Sequence, residues 1–170
     1  MPATGTTAVL VRTPVADELL ELAAAVDPGL VRAGIPAHAT VAYPFLPAAE
    51  VTTAVLARLG ELVAGTGPIS LTLDSVFTSA GFVGVAVSEL AEVTASIRSA
   101  WPRLTPYGGR FGADPPVHVT VAMGATQAET DRIVPAVSAR LPRVEVVTEL
   151  RLVALDETAG WRSLATIPLA

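Results

Sequence analysis

Apolar residues recur along the chain with two different periods, and the alternation of these periods predicts an α+β protein. Apolar positions three and four residues apart are typical of amphipathic helices, whereas strict alternation is typical of half-buried strands. By this criterion helices are predicted at residues 15–26, 48–64, 89–101 and 127–141, and strands at 9–12, 38–43, 69–74, 81–87, 117–123, 144–155 and 161–167. Prolines and glycines separate most of these segments, which predicts many short elements.

The order of these segments predicts two hairpins and an internal duplication. The strands at 69–74 and 81–87 precede and follow turn residues at 79–81, so we expect them to pair with each other. The last two predicted strands are expected to form a second hairpin. A strand, a helix and two further strands recur in order in both halves of the chain. We therefore predict a single domain over residues 1–170, built from two similar α+β lobes.

Composition limits the kind of ligand. The chain has no cysteine, a formal net charge of −5, and eleven basic residues that are all arginine. No segment approaches the roughly 18 uncharged apolar residues of a membrane span, and the N-terminus lacks the basic region of a secretory signal. We therefore expect a monomeric cytoplasmic protein that does not bind membranes. Its acidity disfavours long nucleic-acid duplexes but leaves room for an arginine site that binds one or two phosphates.

The only two histidines of the chain begin matching pentapeptides. His38 opens HATVA, and eighty residues later His118 opens HVTVA. On a strand, residues two apart share a face and lie roughly 6–7 Å apart. Each histidine therefore shares a face with a threonine, Thr40 or Thr120, and the opposite face is apolar. Two lobes that bring these faces together would place two imidazoles and two hydroxyls around one small space.

This set of groups is suited to breaking a phosphodiester bond. Imidazole can accept or donate a proton near neutral pH, so one ring can activate a nucleophile while the other protonates the leaving oxygen. The hydroxyls can donate to the non-bridging oxygens, where charge must be stabilised in the transition state. One H-x-T in a strand is usually structural, but two copies that use every histidine favour a catalytic pair.

Other chemistries fit the sequence poorly. A P-loop needs a lysine, which the chain lacks, and the G-x-S-x-G sequence of many serine hydrolases is absent. A catalytic zinc ion needs about three protein ligands, more than two distant histidines supply. We therefore predict no metal site.

The segments IPAHATVAYPF and PPVHVTVA resemble the paired H-x-T motifs of the two-histidine (2H) phosphoesterase superfamily, most of all its 2'-5' RNA ligase-like branch. The separation of the motifs, the helix after each and the closing WRSLATIPLA also fit this family. The resemblance implies a bilobal, pseudo-twofold α+β fold in which antiparallel sheets line a central cleft and helices lie outside. It also implies catalysis without a metal or other cofactor, with His38 and His118 as the acid/base pair and Thr40 and Thr120 holding the phosphate.

The activity implied by the resemblance is hydrolysis of a 2',3'-cyclic phosphate or a 2'-5' phosphodiester in a nucleotide or short RNA end. Two alternatives stay open: a 2'-5' RNA end-joining ligase that uses the same residues, and a non-catalytic module that binds a nucleotide. Many members of the family continue the second motif with an arginine, where this chain has Met123. That difference weakens the ligase interpretation.

Three further residues are predicted to contact the substrate. Tyr43 ends the first motif strand and Tyr107 lies in the loop before the second, and both are suited to stacking on a base. Arg110 lies among glycines that allow close backbone approach, so it is the candidate to replace the arginine missing at Met123. Trp161 is interpreted as a packing residue of the last strand.

Overall fold

The computed structural model describes residues 5–156 and 160–170, and its elements follow the predicted α+β pattern. The α-helices are α1 (Asp17–Val26), α2 (Thr53–Val63), α3 (Ala91–Ala100) and α4 (Gln127–Ser138). The strands are β1 (Thr7–Arg12), β2 (His38–Ala42), β3 (Ile69–Leu73), β4 (Val76–Ser79), β5 (Phe82–Ala86), β6 (His118–Ala122), β7 (Arg143–Val147), β8 (Glu149–Asp156) and β9 (Gly160–Pro168). All strand pairings are antiparallel within the described part of the chain.

The two motif strands lie side by side at the centre of the large sheet. This sheet has seven strands in the order β4-β5-β6-β2-β1-β8-β9, while β3 and β7 form a separate two-stranded ribbon. The bridge between β2 and β6 pairs Ala39 with Val119. The two halves of the chain therefore meet at the H-x-T motifs.

The two halves are related by strand register as well as by strand order. In the β1–β2 pairing Arg12 lies opposite His38, and in the β5–β6 pairing Ala86 lies opposite His118. Both pairings shift register at the corresponding place. The repeated unit is strand–helix–motif strand–helix–strand, that is, β1-α1-β2-α2-β3 and β5-α3-β6-α4-β7. The predicted duplication is confirmed, but each unit begins one strand and one helix before its motif.

The helices cover one face of the large sheet. Alternate strand residues such as Val11, Val41, Val85 and Val121 are buried on that face. They belong to the same core cluster as buried helix residues, among them Leu19, Ala23, Leu59, Val63, Ile97, Ile133 and Val137. The motif side chains lie on the opposite face, which we call the site face. This one-sided covering explains why the strands alternate between apolar and polar residues.

Two predicted strand assignments are wrong. The turn at 79–81 is correct, but its first arm is β4 and not the segment 69–74, since β3 pairs with β7 more than sixty residues later. The predicted strand 144–155 is two strands, β7 and β8, separated at Thr148. Local alternation identifies a strand but not its partner, because the partner depends on the packing of the whole chain. The second hairpin, β8 with β9, is confirmed, and residues 157–159 of its turn lie outside the described residues.

The β4–β5 turn requires glycine at its second position. Ala80 and Gly81 have φ values of 47° and 83°, as in the two-residue type I′ turns of hairpins. A Cβ at Gly81 would lie 2.5 Å from the carbonyl oxygen of Ala125. The Ala125 N–H donates to the Gly81 carbonyl at 2.9 Å, which fastens the turn to the loop after β6.

We expect Gly81→Ala to lower the free energy of unfolding by about 2 kcal/mol or more, since it combines an unfavourable φ with a backbone clash. Gly60→Ala is the matched control, because Gly60 lies within α2 and its added Cβ would meet nothing within 4 Å. That substitution should stabilise the protein by about 0.5–1 kcal/mol. Urea unfolding measures both changes, and two effects of the same sign would contradict this account of the turn.

Candidate active site

The motif strands place two histidines and two threonines together on the site face. Residues 38 and 40 of β2 are half-buried while their neighbours are buried, and residues 118 and 120 of β6 repeat this pattern. The register of the central bridge puts His38 opposite Thr120 and Thr40 opposite His118. The structure therefore brings together all four residues that the sequence predicts to be catalytic.

A proline carbonyl two residues earlier orients each imidazole. The distance from His38 Nδ1 to the Pro36 oxygen is 2.9 Å, and that from His118 Nδ1 to the Pro116 oxygen is also 2.9 Å. A carbonyl oxygen can only accept a hydrogen bond, so Nδ1 is the protonated nitrogen in both rings. Nε2 therefore has the free lone pair of each neutral imidazole, and it is the atom at which either ring can gain or lose a proton.

Aromatic rings contact both histidines. Trp161 and His38 pack edge to face, with 4.4 Å between the ring centroids and an angle of 80° between the planes. Phe77 and Phe82 contact His118 in the same edge-on manner, with centroid distances of 5.6 Å and 5.2 Å. The rings remove each imidazole partly from water. Trp161, which the sequence indicated only as a packing residue, thus contacts a predicted catalytic side chain.

Gly84 makes room for the two phenylalanines beside His118. A Cβ at Gly84 would lie 2.7 Å from the Phe82 ring and 2.9 Å from the Phe77 ring. The corresponding residue of the other half is Leu10, which packs beside Trp161 instead. The two halves thus use different side chains to surround equivalent histidines.

The surroundings lower the pKa of both imidazoles. Burial is the main cause for His38, whose pKa is about 4, and the positive charges of Arg32 and Arg12 lower it further against the opposing effect of the Pro36 carbonyl. Burial also lowers the pKa of His118 from 6.5. Both rings are therefore neutral at pH 7 in the unliganded protein, and His38 is the harder of the two to protonate.

A row of aromatic rings extends from Thr40. Burial raises the pKa of the Tyr107 hydroxyl, and a hydrogen bond with the Thr40 side chain acts in the opposite direction. The Tyr107 ring centroid lies 5.7 Å from that of Tyr43 and 5.4 Å from that of Phe111, and the Tyr107 N–H donates to the Tyr43 carbonyl at 2.8 Å. Phe111 is 58% exposed, and the Arg110 guanidinium lies 5.5 Å from its ring centroid. Tyr107 is thus a neighbour of both Thr40 and Tyr43, and Arg110 is joined to Tyr107 by its N–H, which donates to the Tyr107 carbonyl at 3.3 Å.

Met123 follows β6 directly and is 48% exposed. Its N–H donates to the carbonyl of Leu30 at 3.0 Å. The residue in the equivalent position after β2 is Tyr43, so neither motif strand is followed by a cation.

No group of three or more histidine, cysteine, aspartate or glutamate side chains in residues 5–156 and 160–170 is placed to bind a metal ion. Likewise, none of the helices that the structure describes is long and apolar enough to cross a bilayer.

Sequence reasoning missed several residues of the site face. Phe77 and Phe82 flank the β4–β5 turn, and Phe111 follows Arg110 in a loop, so no periodic pattern connects them to the histidines. The sequence did contain a signal that Arg12 could be functional, because it is the one charged residue in the apolar strand β1. Its proximity to His38 became visible only with the strand register.

Comparison with known protein families matches residues 11–159 to the model of the 2'-5' RNA ligase superfamily. The chain belongs to this superfamily. The match spans both H-x-T motifs and confirms the family resemblance that these motifs indicate. No curated protein matches the chain significantly.

Solved structures of this superfamily's fold align with nearly the whole chain. E. coli LigT in its apo form is 19% identical with a TM-score of 0.62, and the alignment covers 99% of each chain. A phosphoesterase is 20% identical with a TM-score of 0.57, covering 98% of this chain and 99% of its own. E. coli LigT complexed with NADP+ is 18% identical with a TM-score of 0.57, covering 99% of each chain. The predicted α+β fold class is therefore confirmed as LigT-like.

Proposed function

We propose that the protein is a metal-independent phosphoesterase that hydrolyses a 2',3'-cyclic phosphate or a 2'-5' phosphodiester of a nucleotide or short RNA end. The observation that carries this proposal is the pair of imidazoles on adjacent strands, each fixed through Nδ1 so that Nε2 is free to exchange a proton. Membership of the 2'-5' RNA ligase superfamily supports the class of substrate.

The proposed reaction is an in-line displacement at phosphorus. One neutral imidazole accepts a proton at Nε2 from the attacking water, and a P–O bond forms to that water. The other imidazole, protonated, donates from Nε2 to the ribose oxygen as its P–O bond breaks. The two rings thus exchange protonation states. The hydroxyls of Thr40 and Thr120 donate to the non-bridging oxygens, whose charge is greatest in the transition state.

The two alternative functions use the same site. A ligase would run the displacement in reverse on two RNA ends, and Met123 stands where many family members have an arginine, which favours hydrolysis. A binding module would need donors but no acid/base pair, so the retained imidazoles favour an enzyme. Three outcomes distinguish these functions. A phosphoesterase releases a nucleoside 2'-phosphate, a ligase joins RNA halves, and a binding module binds the nucleotide tightly without turnover.

We expect His38→Ala and His118→Ala each to lower kcat by at least about 10²-fold, because both proton transfers belong to one transition state. The double variant should be little slower than either single variant, since the two groups act as a unit. Hydrolysis of nucleoside 2',3'-cyclic phosphates and RNA 2',3'-cyclic ends measures this, with and without EDTA. Additive losses would show that the histidines act in separate steps, and activity that EDTA abolishes and Mn²⁺ or Zn²⁺ restores would contradict the metal-independent mechanism.

The lowered pKa values predict an acidic optimum for kcat/KM, which reports the free enzyme. Below the His38 pKa of about 4 both rings are protonated and no base remains, while above the His118 pKa, itself below 6.5, both are neutral and no acid remains. We therefore expect a bell with its maximum between about pH 4 and 6.5 and limbs that belong to the coupled pair. Thr120→Val is the control, since it should lower the maximum of kcat/KM without shifting the pH of either limb. A profile that rises steadily to pH 9 would indicate bare hydroxide or a metal-bound water instead.

We further propose that Tyr43, Tyr107 and Arg110, together with Phe111, bind the base and sugar next to the reacting phosphate. Stacking of one base on an aromatic side chain contributes about 1–3 kcal/mol. Phe111→Ala should therefore raise KM for a nucleoside 2',3'-cyclic phosphate by about tenfold and change kcat little.

Two controls isolate the base in this experiment. The KM for a ribose 2,3-cyclic phosphate that lacks a base should be unchanged in Phe111→Ala. Val144→Ala removes an equally exposed apolar side chain from β7 and should have no effect on either substrate. Equal KM changes for both substrates would show that the row does not bind the base.

A further inference from the structure

Arg12 ends β1 on the site face, next to His38. The β1–β2 register makes the two residues cross-strand partners, and side chains of such partners lie on the same face with Cβ atoms about 4.5–5.5 Å apart. Leu10, two residues earlier on the same face, is buried beside Val153. Arg12 is half-buried at the point where this apolar patch ends and the histidine begins.

The guanidinium of Arg12 lacks a partner in the described part of the chain. Its Nε is shielded from solvent and makes no hydrogen bond there, and no carboxylate of the described residues lies within 4 Å of it. Glu145 feels its charge, yet burial keeps the pKa of Glu145 raised, unlike that of a carboxylate in a close ion pair. Partly buried arginines are normally paired, because an unmet charged donor is costly.

This cation is present in only one half of the duplicated fold. Ala86 occupies the position equivalent to Arg12, opposite His118. Arg98 of that half is already paired with Asp114 and the Pro115 carbonyl. The two cations that act on His38, Arg12 and Arg32, therefore both come from the half that contains His38, and Arg12 is the one that strand pairing places directly opposite it.

We propose that Arg12 binds a phosphate group of the substrate beside His38. A guanidinium can donate two parallel N–H bonds to phosphate oxygens, and the bound anion would neutralise a charge that no described carboxylate pairs with. This inference rests on the proposed phosphoesterase function and names the residue that holds the substrate's charge. It also indicates how the substrate would lie along β2. The arginine lies at the His38 end of this strand, where a phosphate would bind, and the aromatic row lies at the Tyr43 end.

The charge of Arg12 provides a readout that a purely structural residue would not give. The charged and aromatic groups facing His38 are Arg12 on β1, Arg32 in the loop before β2, His118 on β6 and Trp161 on β9. Both arginines lower the pKa of His38, so removal of one positive charge must raise it from about 4 towards 6.5. NMR titration of the His38 ring in the free protein measures this shift without any substrate.

The experiment compares Arg12→Gln and Arg12→Lys with Arg132→Gln, which removes the same charge from an exposed position on α4. Calorimetry measures binding of inorganic phosphate, a nucleoside 2'-phosphate and a nucleoside 2',5'-bisphosphate. We expect Arg12→Gln to weaken binding of at least the bisphosphate tenfold or more and to raise the His38 pKa. Arg12→Lys should keep that pKa low but recover only part of the affinity, because an ammonium cannot bind bidentately. Arg132→Gln should change neither quantity.

The three ligands identify which phosphate Arg12 holds. An equal loss for all three would assign it to the phosphate between the histidines, whereas a loss for the bisphosphate alone would assign it to a second phosphate. Unchanged affinity for all three in Arg12→Gln overturns the inference, whatever the His38 titration shows. Wild-type protein that binds these phosphates through Arg12 but hydrolyses no cyclic phosphate would overturn the proposed function and support the inference.

Discussion

The structure depends on the pairing of β2 with β6 at the centre of the large sheet. This bridge, Ala39 with Val119, joins the two halves and places both H-x-T motifs on one face. Side chains alternate along a strand, so a slip of one residue would bury the histidine and threonine of one motif and expose its valines. Burial of Val41 and Val121 against the helices opposes such a slip. The same apolar contacts that stabilise the fold therefore fix the positions of the two histidines and two threonines.

The packing around the motifs also determines their acid/base chemistry. The carbonyls of Pro36 and Pro116 fix the tautomer of each ring, and burial beside aromatic side chains makes the charged form of each imidazole less favourable. A bound phosphate would reverse that preference, because an anion close to an imidazole favours its protonated form. The site should thus bind a proton most readily when it also binds an anion, and in the proposed reaction this linkage would couple proton supply to substrate binding.

The sequence was sufficient for features that depend on neighbouring residues and insufficient for features that depend on distant ones. Periodicity placed the four helices, and the alternation in HATVA and HVTVA put each histidine with its threonine. The pairing of β3 with β7 could not be predicted, since neither strand has a short turn that leads to the other. Arg12 and Trp161 reach His38 from strands at opposite ends of the chain, so only the register of the assembled sheet connects them with the site.

The differences between the two halves matter as much as their similarity. In a perfectly duplicated site both imidazoles would have the same pKa and either ring could carry a single proton, whereas the proposed displacement gives the two rings different roles. The two halves differ where strands β1 and β5 face the motifs: Arg12 corresponds to Ala86, and Leu10 corresponds to Gly84. An arginine beside one histidine and two phenylalanine rings beside the other make the two rings unequal proton acceptors. The duplicated backbone thus supplies two equivalent positions for histidine. The different residues beside each position make the two histidines chemically distinct.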